Sequence, residues 1–203
     1  KEFDFGSLSG IDVVAGGPPC QPFSLGGKHR ADDDSRDMFP FAIKGIRELQ
    51  PKAFIFENVK GLLRTSFSEY LKYILLALSL PEHARMPEQD WRDHFIELRK
   101  SNTSGLHYNV SLKLLNAADY GIPQTRERVF IVGIRSDLNA EWIYPEKTHS
   151  RKRLTYEQKQ TGDYWDRHCI QPDEEYLEQY SSDSSLEGAL EIPCHFIKLK
   201  KRN

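Results

Sequence analysis

Ala53-Phe54-Ile55-Phe56-Glu57-Asn58-Val59 is a run of four apolar residues that ends on a carboxyl group. So short a run, rich in aromatic and β-branched residues and preceded by Pro51, reads as a buried strand. On its N-terminal side, Phe39, Ala42, Ile43, Ile46 and Leu49 recur at helical spacing, and Pro51 stops that helix. Further out, Ile11-Asp12-Val13-Val14-Ala15 is a second short apolar run. It stops at Gly16-Gly17-Pro18-Pro19, as a strand entering a loop does. On the C-terminal side, Ser68 is placed to cap a helix running through Tyr70, Leu71, Ile74, Leu75 and Leu78 to Pro81. Asp90 to Lys100 suits a further short helix. Val110, Leu112 and Leu114 alternate with polar neighbours, as in a half-buried strand, and Val129 to Ile134 is strongly apolar. The last two strands, separated by a loop around Gly121–Pro123, can pair as a hairpin. This order predicts an α/β fold with a largely parallel central sheet.

The chain has 203 residues, enough to bury roughly 70% of its unfolded surface without a disulfide or metal staple. Its mean hydropathy of -0.61 is polar, but 11% aromatic residues argue against disorder. A net charge of -2 excludes a polybasic nucleic-acid binder while leaving room for a local basic groove. No apolar run approaches the ~20 residues of a membrane-spanning helix. The opening Lys-Glu-Phe-Asp-Phe is unlike a secretory leader. Cys20, Cys169 and Cys194 are too scattered for a disulfide framework, and the seven histidines show no ligand spacing. These features predict a soluble protein of a reducing compartment, with no metal. Trp91, Trp142 and Trp165 are read as packing residues. After about Ser150 the apolar periodicity fades, so 151–203 is expected to begin a separate, irregular region. Its basic run from Lys198 to Arg202 suits a solvated tail.

Three clusters can carry chemistry. In an open sheet, ligands bind beyond the carboxyl ends of the parallel strands. Cys20 and Glu57 each lie just past such an end. In Gly17-Pro18-Pro19-Cys20-Gln21-Pro22-Phe23-Ser24 the glycine lets the chain turn, and prolines on both sides fix the direction of the thiol. That setting suits a nucleophile. Glu57, after four apolar residues, is expected to be partly desolvated, a setting in which a carboxylic acid can donate a proton. In Gln124-Thr125-Arg126-Glu127-Arg128, strand periodicity would put Gln124, Arg126 and Arg128 on one face, where two guanidinium forks and an amide could bind a phosphate or a base edge. As a solvated edge strand, the same stretch would carry Glu127 and Arg128 as ordinary surface charges.

In order and spacing these clusters resemble the cytosine-5 DNA methyltransferase family. GGPPCQPFS is similar to its nucleophile motif, Glu57–Val59 to its acid motif, and Gln124–Arg128 to its Gln-x-Arg-x-Arg motif. The likeness runs from Asp12 to Arg135 and includes Asp34-Ser35-Arg36, Gln50-Pro51-Lys52 and Ala118–Pro123. The resemblance implies a Rossmann-like methyltransferase sheet and methylation of carbon 5 of a flipped-out cytosine in duplex DNA, as in restriction-modification systems, with S-adenosylmethionine as donor. Cys20 would be the nucleophile, Glu57 the general acid, and Arg128 the holder of the base carbonyl. Arg126 would lie near the nucleophile and the nucleotide backbone. Pro19 and Asn58 fall on the cofactor side, Asn58 also orienting the nucleophile loop. Gln21, Ser24, Lys28, Arg36 and Gln124 would contact DNA.

The family's Phe-x-Gly-x-Gly cofactor turn is not among the nineteen residues before Cys20, and its closing Asn-Ser-Val-like helix is also absent. The sheet is therefore expected to be incomplete. Residues 1–150 are read as the central and C-terminal part of a catalytic domain and 151–203 as the start of a target-recognition region. Alone, the chain is expected to bind S-adenosylmethionine weakly and not to methylate. The intact protein is expected to be a monomer, cytoplasmic in a bacterium or nuclear in a eukaryote. Two other readings fit the motifs less well: a transfer-RNA cytosine-5 methyltransferase of the same fold, and a non-catalytic nucleic-acid-binding fragment.

Overall fold

A computed structural model describes residues 4–19, 37–101, 105–122 and 124–171. The chain divides into two compact units, Lys1–Leu115 with Glu127–Tyr144, and Asn116–Arg126 with Pro145–Asn203. The strands are β1 (Val13–Gly16), β2 (Ala53–Val59), β3 (Tyr108–Asn116) and β4 (Glu127–Arg135), in the order β1-β2-β4-β3. The helices of the first unit are α1 (Phe39–Leu49), α2 (Ser68–Ser79) and α3 (Trp91–Leu98).

The α/β class is as expected, and the sheet is mixed: β1, β2 and β3 share one direction and β4 runs against them, the last two strands pairing antiparallel as the hairpin reading expects. β1 and β2 run parallel through the α1 crossover, with Val13 opposite Ala53 and Gly16 opposite Phe56. β4 lies antiparallel to β2, from Ala53 opposite Ile134 to Val59 opposite Arg128. β3 runs antiparallel to β4, since Ser136 N donates to His107 O at 3.0 Å and Ser111 Oγ to Val132 O at 3.4 Å. A parallel pairing needs a crossover of about a dozen residues or more, and the ten residues 117–126 between the two strands are too few.

Local sequence explains the helix ends. α1 buries Phe39, Ile43 and Ile46, one stripe at helical spacing, and closes at Gln50 in the left-handed region with φ 47°. Ser68 does not cap α2. The turn Thr65–Phe67 leads straight into the helix, so Ser68 N bonds to Thr65 O. Asp90 does cap α3, accepting from Arg92 N at 2.7 Å.

Alternation along β2 puts Phe54, Phe56 and Asn58 on the core side, opposite Gly133, Ile131 and Val129 of β4. Phe54 and Phe56 stack at 5.2 Å, and Tyr108 closes on Phe54 at 5.3 Å. Burial pushes the Tyr108 phenol up to about 12, and its hydroxyl donates to Pro51 O at 2.7 Å. Trp91 packs as expected at 5% exposure, whereas Trp142 is exposed.

In the second unit, Arg151–His168 is helical where irregular chain was expected. α4 (Arg151–Tyr156) passes through a π turn, Glu157–Thr161, to α5 (Asp163–His168). Ser150 Oγ caps α4, accepting from Arg153 N at 3.0 Å. Glu157 is buried between Arg153, at 2.6 Å, and Arg167. Burial pushes its carboxyl up, but the two guanidinium groups outweigh this and hold it below the usual carboxylate range. Charge pairs, not an apolar stripe, hold this segment, which is why periodicity did not reveal it. No helix among the described residues is long and apolar enough to cross a membrane.

Gly133 leaves the space that the Phe54 ring fills, and a Cβ there would run into that ring. Gly133→Ala is expected to destabilise the first unit by about 1–3 kcal/mol, read from the urea midpoint. An unchanged midpoint would show that the ring has room to move.

Candidate active site

Because β4 is antiparallel to β2, its first residues lie beside the carboxyl ends of β1 and β2. That rim gathers the candidate groups of the first unit. Gly17, just past β1, is so close to the end of β2 that a Cβ there would be 3.5 Å from Glu57 O and 3.7 Å from Glu57 Oε2. The next two carbonyls are held by hydrogen bonds. Asn58 Nδ2 donates to Pro18 O at 3.0 Å, and Met38 N donates to Pro19 O at 3.1 Å. Asp37 supports the second attachment. Its buried carboxylate accepts from Phe39 N at 3.0 Å and from the Tyr70 hydroxyl of α2. Cys20, Gln21, Ser24, Lys28 and Arg36 lie outside the described residues.

Glu57 and Arg128 meet on the other face of the sheet from the Phe54–Asn58 row. Glu57 is opposite Phe130 and Arg128 opposite Val59, so the two are diagonal neighbours on one face. Arg128 Nε is 2.8 Å from Glu57 Oε1, with the side chains 26% and 38% exposed. Arg128 Nη1 also donates to Glu127 O at 2.8 Å. Glu57 is thus only partly withdrawn from water, and the guanidinium paired with it is held from two sides. Glu127 is a partly exposed charge with a partner, its Oε2 lying 2.7 Å from Lys60 Nζ. β4 does not lie at an edge, since β2 and β3 flank it.

Gln124 and Arg126 belong to the second unit and precede β4, which begins at Glu127. The expected shared strand face therefore does not extend to them. Both are exposed. Arg126 N donates to Asn116 Oδ1 at 3.1 Å, and Arg126 O accepts from Ala117 N at 3.0 Å.

The described residues on the expected cofactor side offer little to a ligand. Pro19 is exposed, with its carbonyl bonded to Met38. Asn58 is 6% exposed, and both ends of its amide are engaged, Oδ1 accepting from Val59 N at 2.9 Å. No group of three or more His, Cys, Asp or Glu among the described residues could hold a metal ion. Sequence reasoning missed Lys60, Glu127, Asp37 and Tyr70. The first two carried a visible signal: opposite charges at the two motifs, one just after Val59 and one between the arginines.

A model of the C-5 cytosine-specific DNA methylase family matches residues 1–80 and 92–190. The Type II methyltransferase M.AquIA of Picosynechococcus sp. is 41% identical over 140 residues, which is 68% of this chain and 49% of that protein. M.HgiBI of Herpetosiphon aurantiacus is 42% identical over 150 residues, 72% of this chain and 28% of that protein. The chain thus spans half or less of the length of these relatives. The crystal structure of the S. pombe Dnmt2 methyltransferase is 17% identical, covering 76% of this chain and 45% of its own. Its TM-score is 0.38.

Asn58→Ala removes the donor to Pro18 O and the acceptor for Val59 N from a buried position. It is expected to cost about 1–3 kcal/mol in urea denaturation. Stability equal to that of the unsubstituted chain would mean that water replaces both bonds.

Proposed function

The chain belongs to the C-5 cytosine-specific DNA methylase family, and we propose that it is the catalytic middle of an enzyme that methylates carbon 5 of cytosine in duplex DNA. The observation that carries this reading is the Glu57–Arg128 pair, set against the root of the loop that leads to Cys20.

In this reading the base is flipped out of the stack to reach the rim. The Cys20 thiolate adds to carbon 6, forming a carbon–sulfur bond and moving electron density onto carbon 5. Glu57 donates a proton or a hydrogen bond to ring nitrogen 3, so that negative charge does not build up there. Arg128, with Nε and Nη1 already engaged, keeps donors for the carbonyl at position 2. Arg126 acts near the nucleotide backbone. Once carbon 5 carries the methyl group, loss of its proton expels the thiolate and restores the aromatic ring. S-adenosylmethionine, the donor the family implies, supplies an electrophilic methyl group when bound. Pro19 is the one described residue of those assigned to it that has surface to offer. Asn58, with both polar ends engaged, acts as a strut for the nucleophile loop. Gln21, Ser24, Lys28, Arg36 and Gln124 contact DNA. Residues 1–150 form the catalytic part, and 151–203 begin target recognition.

The full-length protein, given methyl-labelled donor and duplex DNA, is expected to place label in 5-methylcytosine and none in transfer RNA. Glu57→Gln should slow transfer by roughly 100- to 10,000-fold while leaving DNA affinity within a few-fold. Label confined to transfer RNA, or found on an exocyclic amine, would overturn the reading.

A further inference from the structure

We propose that Lys60 and Glu127 form a positioning pair that sets the plane of the Arg128 guanidinium and, through it, the Glu57 carboxyl group. The inference rests on the reading of Glu57 and Arg128 as catalytic residues. The last pair of the β2–β4 ladder is Val59 opposite Arg128. One residue further, Lys60 falls opposite Glu127, and their side chains meet at 2.7 Å. Successive residues point to opposite faces of a sheet. The Glu57–Arg128 pair therefore clamps one face of the ladder end, and the Lys60–Glu127 pair clamps the other.

The two clamps share a peptide. Glu127 gives its carboxylate to Lys60 and its backbone carbonyl to Arg128 Nη1, at 2.8 Å. Arg128 Nε then faces Glu57 Oε1 at 2.8 Å. An arginine side chain is costly to order, and its planar fork is useful only when the plane is held. Two acceptors hold this one, and one of them is the carbonyl of the first residue of β4. The β2–β4 register ends at Arg128, so no pairing within that ladder holds this carbonyl's residue to β2. Lys60 ties that residue down. As a source of stability the pair is minor, because at 59% and 37% exposure it is screened by water. Its consequence is geometric.

Two readouts separate this role from a structural one. In the isotope-labelled 203-residue chain, the Arg128 Nε–H is expected to exchange with solvent about tenfold faster in Lys60→Met and in Glu127→Gln. In the full-length protein, each variant should lower kcat by about tenfold or more, with KM for DNA within about twofold and Tm within a few degrees. The charge swap Lys60→Glu with Glu127→Lys should restore most of both losses. Unchanged Arg128 exchange in the single variants would overturn the proposal, as would a swap that rescues neither readout. If the unsubstituted full-length protein transfers no methyl group to DNA, the functional reading fails, and the exchange measurement still decides the positioning claim.

Discussion

The antiparallel register of β2 and β4 is the constraint on which the site depends. Val59 opposite Arg128 brings the start of β4 to the rim where β1 and β2 end. In a wholly parallel sheet the start of β4 would lie at the far edge, and Arg128 could not reach Glu57. The same register separates two tasks. Phe54 and Phe56 face the core against Gly133 and Ile131, while Glu57 and Arg128 face away from it. A slip of one residue would bury the carboxyl group and expose the phenylalanines, so hydrophobic burial and the site demand the same pairing.

The loop root is secured from the core side. Asn58 continues the row of Phe54 and Phe56, but its amide reaches across to Pro18 instead of packing as an apolar group. A buried amide is tolerated because both its ends are bonded. The next carbonyl, of Pro19, is tied to Met38 beside Asp37, and Asp37 is held by Tyr70 of α2. The chain on either side of residues 20–36 is thus attached to the sheet and to the helical layer. That is the arrangement a nucleophile needs if its position is to be set by the fold.

Much of this was legible in the residues. The short apolar runs located β2 and β4, helical spacing gave α1 with its observed bounds, and the motifs pointed to Glu57 and Arg128. What was not legible had physical causes. Strand order is not encoded in apolar content, so the short loop before β4 indicated its hairpin with β3 but not its pairing with β2. Ser68 has the chemistry of a cap, but the turn before it already supplies the bond. The helices after Ser150 rest on Glu157 between two arginines, a pattern invisible to periodicity. Lys60 and Glu127 are 67 residues apart and meet only because the ladder ends where it does.

The central claim is that this rim and Cys20 act on one cytosine. It is tested most directly by trapping. With duplex DNA carrying 5-fluorocytosine and S-adenosylmethionine, the full-length protein has no proton to remove from carbon 5, and the adduct persists. Mass spectrometry of the digested complex is predicted to find the fluorinated, methylated nucleotide on the peptide that contains Cys20. An adduct on the peptide of Cys169 or Cys194, or none under conditions in which ordinary DNA is methylated, would contradict the account.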